Sequence, residues 1–398
     1  MRILQVINSA SPLGGGPIES VIQAARAIAE YGHTMEIVSV DDPASPWLPS
    51  LPLPVHALGP ARTPYRYSAR LVPWLSRHAG DYDCAVVNGI WLYPSYAAWR
   101  VLTRRNIPYF VYAHGLLDPS HHRTFPMRRL KKMVSWIATE RRVLDDAAGV
   151  LFTCEEERRA ATGAFWPPRT RDNGVIVPYC IGTPPDAPHQ SETFLSQFPE
   201  LRDKRRLLFL SRVHPKKGLD ILIRSFAAIA ERDDTLHLVV AGTGDPAYVQ
   251  KLQQLARSLD VSRRMTWTGM LAGDLKWGAF RSAEVFLLPS HHENYGIAVV
   301  ESLACGTPVV ISSAINIWPE IEADGAGLVC DDNVSSTTAA LGRWLTLGAQ
   351  ERLKRRSRSL HCFQTRFSAG PACLRFIDVL RSSGVAGHES HPRPVATR

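Results

Sequence analysis

Two doubly wound α/β domains facing across a cleft are predicted by three observations. Short apolar runs bounded by Gly, Pro and Asn alternate with helical periodicity along most of the chain. That alternation runs through twice, with a stretch rich in Pro and polar residues, 184–200, between the two series. Glycines or cations follow several strands, at the carboxyl ends where open α/β sheets bind ligands. The expected layout is a first domain at 1–183, a linker at 184–200 and a second domain at 201–360. A helical segment at 361–382 and a disordered tail at 383–398 complete it.

The chain's 398 residues suffice for two full cores. A hydrophobic content of 45% with 21% charged residues describes an ordinary soluble globular protein. No apolar run nears the roughly 20 residues that span a bilayer, and MRILQVINSA is too weakly apolar for a signal peptide and reads as a first strand. Seven cysteines with no CxxC pair argue against a disulfide framework or a zinc site and fit a reducing cytoplasm. The formal charge of +9 calls for an anionic partner: a nucleotide, a nucleic acid or an acidic membrane. No recognised nucleic-acid module accompanies it, which leaves a nucleic-acid binder as a remote alternative.

In order, residues 2–7 (RILQVI) form a strand, and Gly14, Gly15, Gly16 and Pro17 follow at its carboxyl end. Proline near the first position suits a helix from about residue 17 to 30, and bare glycines let backbone approach a ligand there. Residues 35–40 are a second strand, and the proline-rich 43–64 reads as a surface loop. Residues 84–88 (CAVVN) and 107–113 are strands, with His114 and Gly115 at the tip of the second. A histidine at the ligand edge can donate or accept near neutral pH. Residues 127–144 carry an apolar stripe of Met127, Leu130, Met133, Val134, Ile137 and Leu144, with Arg128, Arg129, Lys131, Lys132, Arg141 and Arg142 opposite and Phe125 and Trp136 nearby. Such a helix either packs its stripe on the sheet or meets an anionic membrane surface. Strands at 149–153 and 175–178 close the first series.

The second series opens with a strand at 207–211, followed by Arg212, His214, Lys216 and Lys217 at the start of a helix read as 217–232. Cations are unfavourable at the positive end of a helix dipole, so a bound polyanion such as a diphosphate explains them better than chance. A strand at 236–241 leads into Gly242-Thr243-Gly244, a helix runs to 259, and a strand spans 265–268. Residues 242–247 match GxGxxA, but the acidic residue a dinucleotide site needs at the end of the next strand is absent, since Thr268 and Gly269 stand there. The organising unit is 287–310, LLPSHHENYGIAVVESLACGTPVV. It reads as strand, polar loop, helix and strand, with Glu293 on the loop and Glu301 about two turns into the helix. Two carboxylates so placed can hold two hydroxyl-bearing parts of one ligand.

Arg212 with Lys217, AGTG at 241–244 and HENYG-IAVVES with its paired glutamates resemble the retaining glycosyltransferases of family 4 (glycosyl transferases group 1), which have the GT-B fold of two Rossmann-like domains. The resemblance implies that Arg212 and Lys217 bind a donor diphosphate, Glu301 the ribose hydroxyls, and Glu293 the hydroxyls of the donor sugar. It implies that Asn294, Tyr295, Gly296 and Ile297 line sugar and phosphate, that Gly242, Thr268 and Met270 lie along the nucleotide, and that Gly15, Gly16 and His114 serve from the first domain. The implied reaction is retaining transfer of a hexose from a nucleoside diphosphate sugar, with no metal and no other cofactor. The implied acceptor is a saccharide, above all a lipid-linked one in bacterial surface polysaccharide assembly, reached at the inner face of the cytoplasmic membrane. A nucleotide-sugar epimerase of the same fold is the alternative. Asp81-Tyr82-Asp83 spells the DxD of metal-using sugar transferases, but it precedes its strand and reads as a loop. One departure from the family pattern lies at 314–318 (AINIW), where many members carry a glycine pair before Pro-Glu.

Overall fold

The computed structural model describes residues 1–12, 16–118 and 126–385. Gly14, Gly15, Phe125 and the tail from 386 lie outside the described residues, as do the side chains of Met127, Arg128 and Arg129. The chain divides into two compact units, Met1–Cys180 with the segment from Ala372, and Ile181–Pro371.

The first unit holds strands β1 (Arg2–Ile7), β2 (Thr34–Ser39), β3 (Val55–Ala57), β4 (Cys84–Asn88), β5 (Tyr109–Tyr112), β6 (Gly149–Phe152) and β7 (Gly174–Ile176). They form one parallel sheet in the order β3-β2-β1-β4-β5-β6-β7. The second holds β8 (Arg205–Leu210), β9 (Leu236–Ala241), β10 (Met265–Gly269), β11 (Val285–Leu288), β12 (Val309–Ser312) and β13 (Gly327–Cys330). Their order is β10-β9-β8-β11-β12-β13, again all parallel. Helices cover both faces of such sheets, so the central strands are continuous apolar runs; β4, β9 and β11 are buried at every position. Strand order reverses between β1 and β4 in one sheet and between β8 and β11 in the other, the points outside whose carboxyl ends open α/β sheets bind ligands.

Two segments differ from the sequence reading. The proline-rich loop contains β3, a three-residue edge strand paired with β2 through Ile37 and Val55. Pro54 directly precedes it, and prolines are tolerated on an edge. The linker at 184–200 contains a helix, Gln190–Gln197, counted within the second unit. Two buried residues, Phe194 and Gln190, seat it against the helix Gly273–Ser282, where Asp274 accepts from Gln190 and Gly278 leaves room for the Gln190 carbonyl. One apolar and one polar anchor give no periodicity to read. At the other end, the helix Ala369–Ser382 contributes its residues from Ala372 to the first unit, and Arg375 donates to the Ile176 carbonyl. Val385, within the stretch read as tail, is buried.

Beneath the second sheet, Glu284 accepts from the Arg205 fork at 2.7 and 2.8 Å, from Trp344 Nε1–H at 3.0 Å and from Arg352 at 3.2 Å. Burial pushes the Glu284 carboxyl up, but Arg205, Trp344 and Arg352 outweigh it and hold the pKa below the usual value. Stability from this group is therefore present above the ordinary carboxylate range and lost as pH falls through the depressed value. Glu284→Ala is expected to lower the unfolding free energy of this unit by about 3 kcal/mol at neutral pH. In urea titrations, the gap from the parent protein should narrow as the medium is acidified.

Candidate functional site

The carboxyl end of β8 continues into Ser211, Arg212 and Val213, and this loop is fixed by the glycines after β9. The Val213 N–H donates to the Thr243 carbonyl at 2.8 Å, and Val213 bridges Gly244. Gly242 has φ of 134°, and a Cβ there would stand 1.9 Å from the Ser211 carbonyl oxygen. Its own N–H donates to the Gly269 carbonyl at 2.7 Å. The glycines of AGTG thus permit close packing of backbone, which leaves the Arg212 side chain exposed.

The helix read as starting at Lys217 starts at Leu219 instead. A 3-10 turn, Pro215–Lys217, precedes it, capped by His214 Nδ1, which accepts the Lys216 N–H at 3.1 Å. Gly218 closes the turn with φ of 66°, and its missing Cβ lets the Pro289 carbonyl oxygen at the end of β11 approach. Lys217 is thereby turned across the switch point onto the Glu293 carboxylate, with which it forms an ion pair. Burial pushes the Lys217 ammonium down, and Arg212 and Lys216 add to that, to about 8; the Glu293 carboxylate opposes them.

Glu293 is itself clamped by the atypical segment 314–318. Its N–H donates to the Ala314 carbonyl at 3.0 Å, and its carbonyl accepts from the Asn316 N–H at 3.1 Å. Asn316 also reaches Asn294 Oδ1 at 3.5 Å. Gly296, at φ of 76°, then turns the chain into the helix Ile297–Ala304, whose first N–H groups have no acceptor within the helix. Glu301 stands on that helix, buried, with Lys276 Nζ at 2.5 Å. Tyr295 is buried edge-on against Phe367, so any ligand contact it makes is through its backbone. Thr268 is half-buried near the end of β10, the outermost strand, and Met270 beyond it is exposed.

Arg212, Lys217, Glu293, Asn294, Gly296 and Gly242 therefore come together at the ends of β8, β9 and β11, with Glu301 on the adjoining helix. Lys276 was missed in the sequence. Its only signal is a position one turn before buried Phe280 on the helix Gly273–Ser282.

In the first unit, Gly16 starts the helix Gly16–Ala29, and His114 sits at the tip of β5 with φ of 51°. Its Nε2 lies 3.1 Å from Asn88 Oδ1 and its Nδ1 2.5 Å from the Tyr179 hydroxyl. An amide oxygen only accepts, so Nε2 carries the proton and Tyr179 donates to Nδ1. Burial pushes His114 down to about 3, which keeps the ring neutral. Glu157 supports the loop by accepting from the Gly115 N–H at 2.6 Å. Asn88, Tyr179 and Glu157 carry no spacing signal and were not singled out. Asp81 and Asp83 stand at the opposite, amino edge, where Asp83 accepts from the Arg2 N–H at 2.6 Å.

Residues 15–179 match the family model described as glycosyl transferase 4-like domain, and residues 191–359 match the one described as glycosyl transferases group 1. A D-inositol 3-phosphate glycosyltransferase of Thermomonospora curvata is 34% identical over 147 residues, 35% of this chain and only 34% of that protein's length. A protein of the same description from Geodermatophilus obscurus is 25% identical over 366 residues, 85% of this chain and 80% of its own. The crystal structure of Anabaena HepE in complex with UDP and glucose superposes with a TM-score of 0.77 at 19% identity, covering 96% of this chain and all of that one. At that identity the likeness establishes the fold alone, which is GT-B.

A side chain at 242 cannot coexist with the Ser211 carbonyl. Gly242→Ala is expected to displace the Arg212 loop and destabilise the second unit by about 2 kcal/mol or more. Thermal unfolding measures the second effect, and loss of nucleoside diphosphate binding by calorimetry measures the first.

Proposed function

The chain belongs to the glycosyl transferases of group 1, and from that premise we propose that it transfers a hexose from a nucleoside diphosphate sugar to an acceptor hydroxyl, with retention at the anomeric carbon. The observation that carries this reading is the Lys217–Glu293 pair beside Arg212 at the switch point of the second sheet. Arg212, Lys217 and the N–H groups at the start of the helix Ile297–Ala304 take the diphosphate. Glu293 accepts from hydroxyls of the donor sugar, and Glu301 from those of the ribose. Thr268 and Met270 flank the nucleobase. His114 is assigned a contact with the donor sugar, made when a ring nitrogen exchanges its Asn88 or Tyr179 partner for a sugar hydroxyl, and Gly15 and Gly16 are assigned the glycine loop of that same edge.

The bond from the anomeric carbon to the diphosphate oxygen breaks as the acceptor oxygen bonds to that carbon from the same face. The departing diphosphate oxygen takes the acceptor's proton. Fixed positive groups where charge develops stabilise this step more than they stabilise the bound donor. The reading assigns the counter-charge to Arg212 and Lys217 and none to a metal. HepE is described in complex with UDP and glucose, which supports a nucleotide sugar as donor. The acceptor is proposed to be a saccharide on a lipid carrier, met at the inner face of the cytoplasmic membrane. The contact is proposed to be peripheral; no described helix is long and apolar enough to cross a membrane.

Glu301→Ala is expected to raise the donor KM about tenfold or more with a smaller change in kcat; unaltered donor affinity by calorimetry would refute the ribose role. Arg212→Ala and Lys217→Ala should each lower kcat by roughly a hundredfold, and full turnover in both would remove the leaving-group account.

Lys217 is a cation only below its pKa, so kcat/KM for the donor should fall as pH rises through about 8. In Lys217→Arg that alkaline limb should disappear from the profile.

A further inference from the structure

The helical stretch that includes Pro126–Ser135 and the π-helical turn Trp136–Glu140 presents two contrasting faces. Leu130, Val134 and Ile137 are 60%, 61% and 52% exposed, at spacings that set them in one row. The stripe read from the sequence is therefore divided: these three face outward, Met133 is half-buried and Leu144 packs in the core. The inward row is Lys132, Trp136 and Glu140, of which Trp136 and Glu140 are buried. Lys132 Nζ lies 4.8 Å from the centre of the Trp91 ring, and Trp91 Nε1–H donates to the Leu116 carbonyl at 3.1 Å. Trp91 follows β4 and Leu116 follows His114, so the inner row rests on the ligand edge of the first sheet.

A second exposed apolar side chain stands on a segment held to the same helix. Trp166 is 72% exposed, and both of its neighbours are fastened to Trp136. Phe165 stacks on the Trp136 ring at 4.8 Å, and the Pro167 carbonyl accepts from Trp136 Nε1–H at 2.8 Å. On the same helical stretch Lys131 and Arg142, and on the segment after Trp166 Arg171, are exposed and form no ion pair among the described residues; Arg171 donates to the Asp145 carbonyl at 3.3 Å. Three aliphatic side chains in a row, an exposed indole on a segment held to the same helix and cations without a carboxylate partner fit the boundary between lipid headgroups and acyl chains.

We infer that this face docks on an anionic lipid leaflet, with Leu130, Val134, Ile137 and Trp166 entering the acyl boundary and Lys131, Arg142 and Arg171 meeting lipid phosphates. The inference rests on the proposed reading of a lipid-borne acceptor and adds the surface that reaches it. One helix then touches the leaflet with its outer row and the ligand edge with its inner row.

The test is flotation of the full chain with vesicles of phosphatidylcholine alone or mixed with phosphatidylglycerol, at low and high salt. Binding is expected to the mixed vesicles only and to weaken as salt screens the cations. Val134→Glu combined with Ile137→Glu, and separately Trp166→Ala, should reduce vesicle affinity about tenfold or more. Their unfolding temperature and their binding of UDP by calorimetry should match the parent protein. Lys131→Glu with Arg142→Glu, which leaves the apolar row intact, should abolish the preference for phosphatidylglycerol. Equal binding to both vesicle types, or parental affinity in the apolar variants, overturns the docking face. So does a parent protein that binds UDP but floats with neither vesicle, or a dimer in sedimentation velocity that those variants split. Failure of UDP binding itself counts against the donor site and not against this face.

Discussion

A lysine ammonium buried against a carboxylate 76 positions away is the interaction on which the candidate site depends. Moving either ion out of water costs several kcal/mol, and the attraction between them offsets that only in close contact. The surrounding geometry serves this contact. Gly218 turns Lys217 over the end of β11, and the Ala314 and Asn316 backbone holds Glu293 in place. Lys276 and Glu301 repeat the device one helix away. Each acid is paired with a lysine. A ligand bearing phosphates and hydroxyls can exchange partners without stranding a charge, since phosphate oxygens accept from the lysines while hydroxyls donate to the glutamates. That complementarity suits a nucleotide sugar better than an inorganic anion, which would satisfy the lysine and leave the carboxylate repelled.

The first unit solves a different problem at its own switch point. His114 and Trp91 both have positive φ without being glycine, a backbone state that persists only when its surroundings over-determine it. For His114 these are Asn88, Tyr179 and the stacked Tyr112 ring; for Trp91 they are Leu116, Lys132 and the Phe165 ring. A neutral imidazole with both nitrogens engaged works as an oriented dipole and not as a titrating base. Such a group suits a reaction whose proton passes from acceptor to leaving diphosphate, which calls for no separate base.

Much of this was legible because burial on both faces leaves a plain trace. The central strands are unbroken apolar runs, and the loops after β8 and β11 carry charges with no structural excuse. What was hidden depends on three-dimensional placement. β3 is three residues long, and Gln190–Gln197 buries one apolar residue and one polar one, so neither shows a period. Lys276 meets Glu301 only because two helices pack side by side. The clamp at 314–318 acts through backbone groups, which any sequence supplies, so the departure from the family pattern could be noticed but not interpreted. Spacing also showed that 127–144 has an apolar stripe, while it could not show what covers that stripe.

That last gap bears on what the stripe does. Helix stability in a folded protein comes mainly from the face that is buried, and here Trp136, Val143 and Leu144 supply the anchorage. Glu140 on the same inner face is tolerated because burial pushes its carboxyl up to about 7, against the pull of the Trp91 N–H and the Lys132 ammonium. A group that is half neutral near physiological pH costs far less to bury than a fixed charge. The inner face is thus sufficient for folding. Leu130, Val134 and Ile137, exposed in one row, gain little from burial, and such a row departs from the scattered apolar residues any surface carries. Among the described residues nothing covers them, and in the docking inferred above the cations of the same stretch would favour an anionic surface over a neutral one.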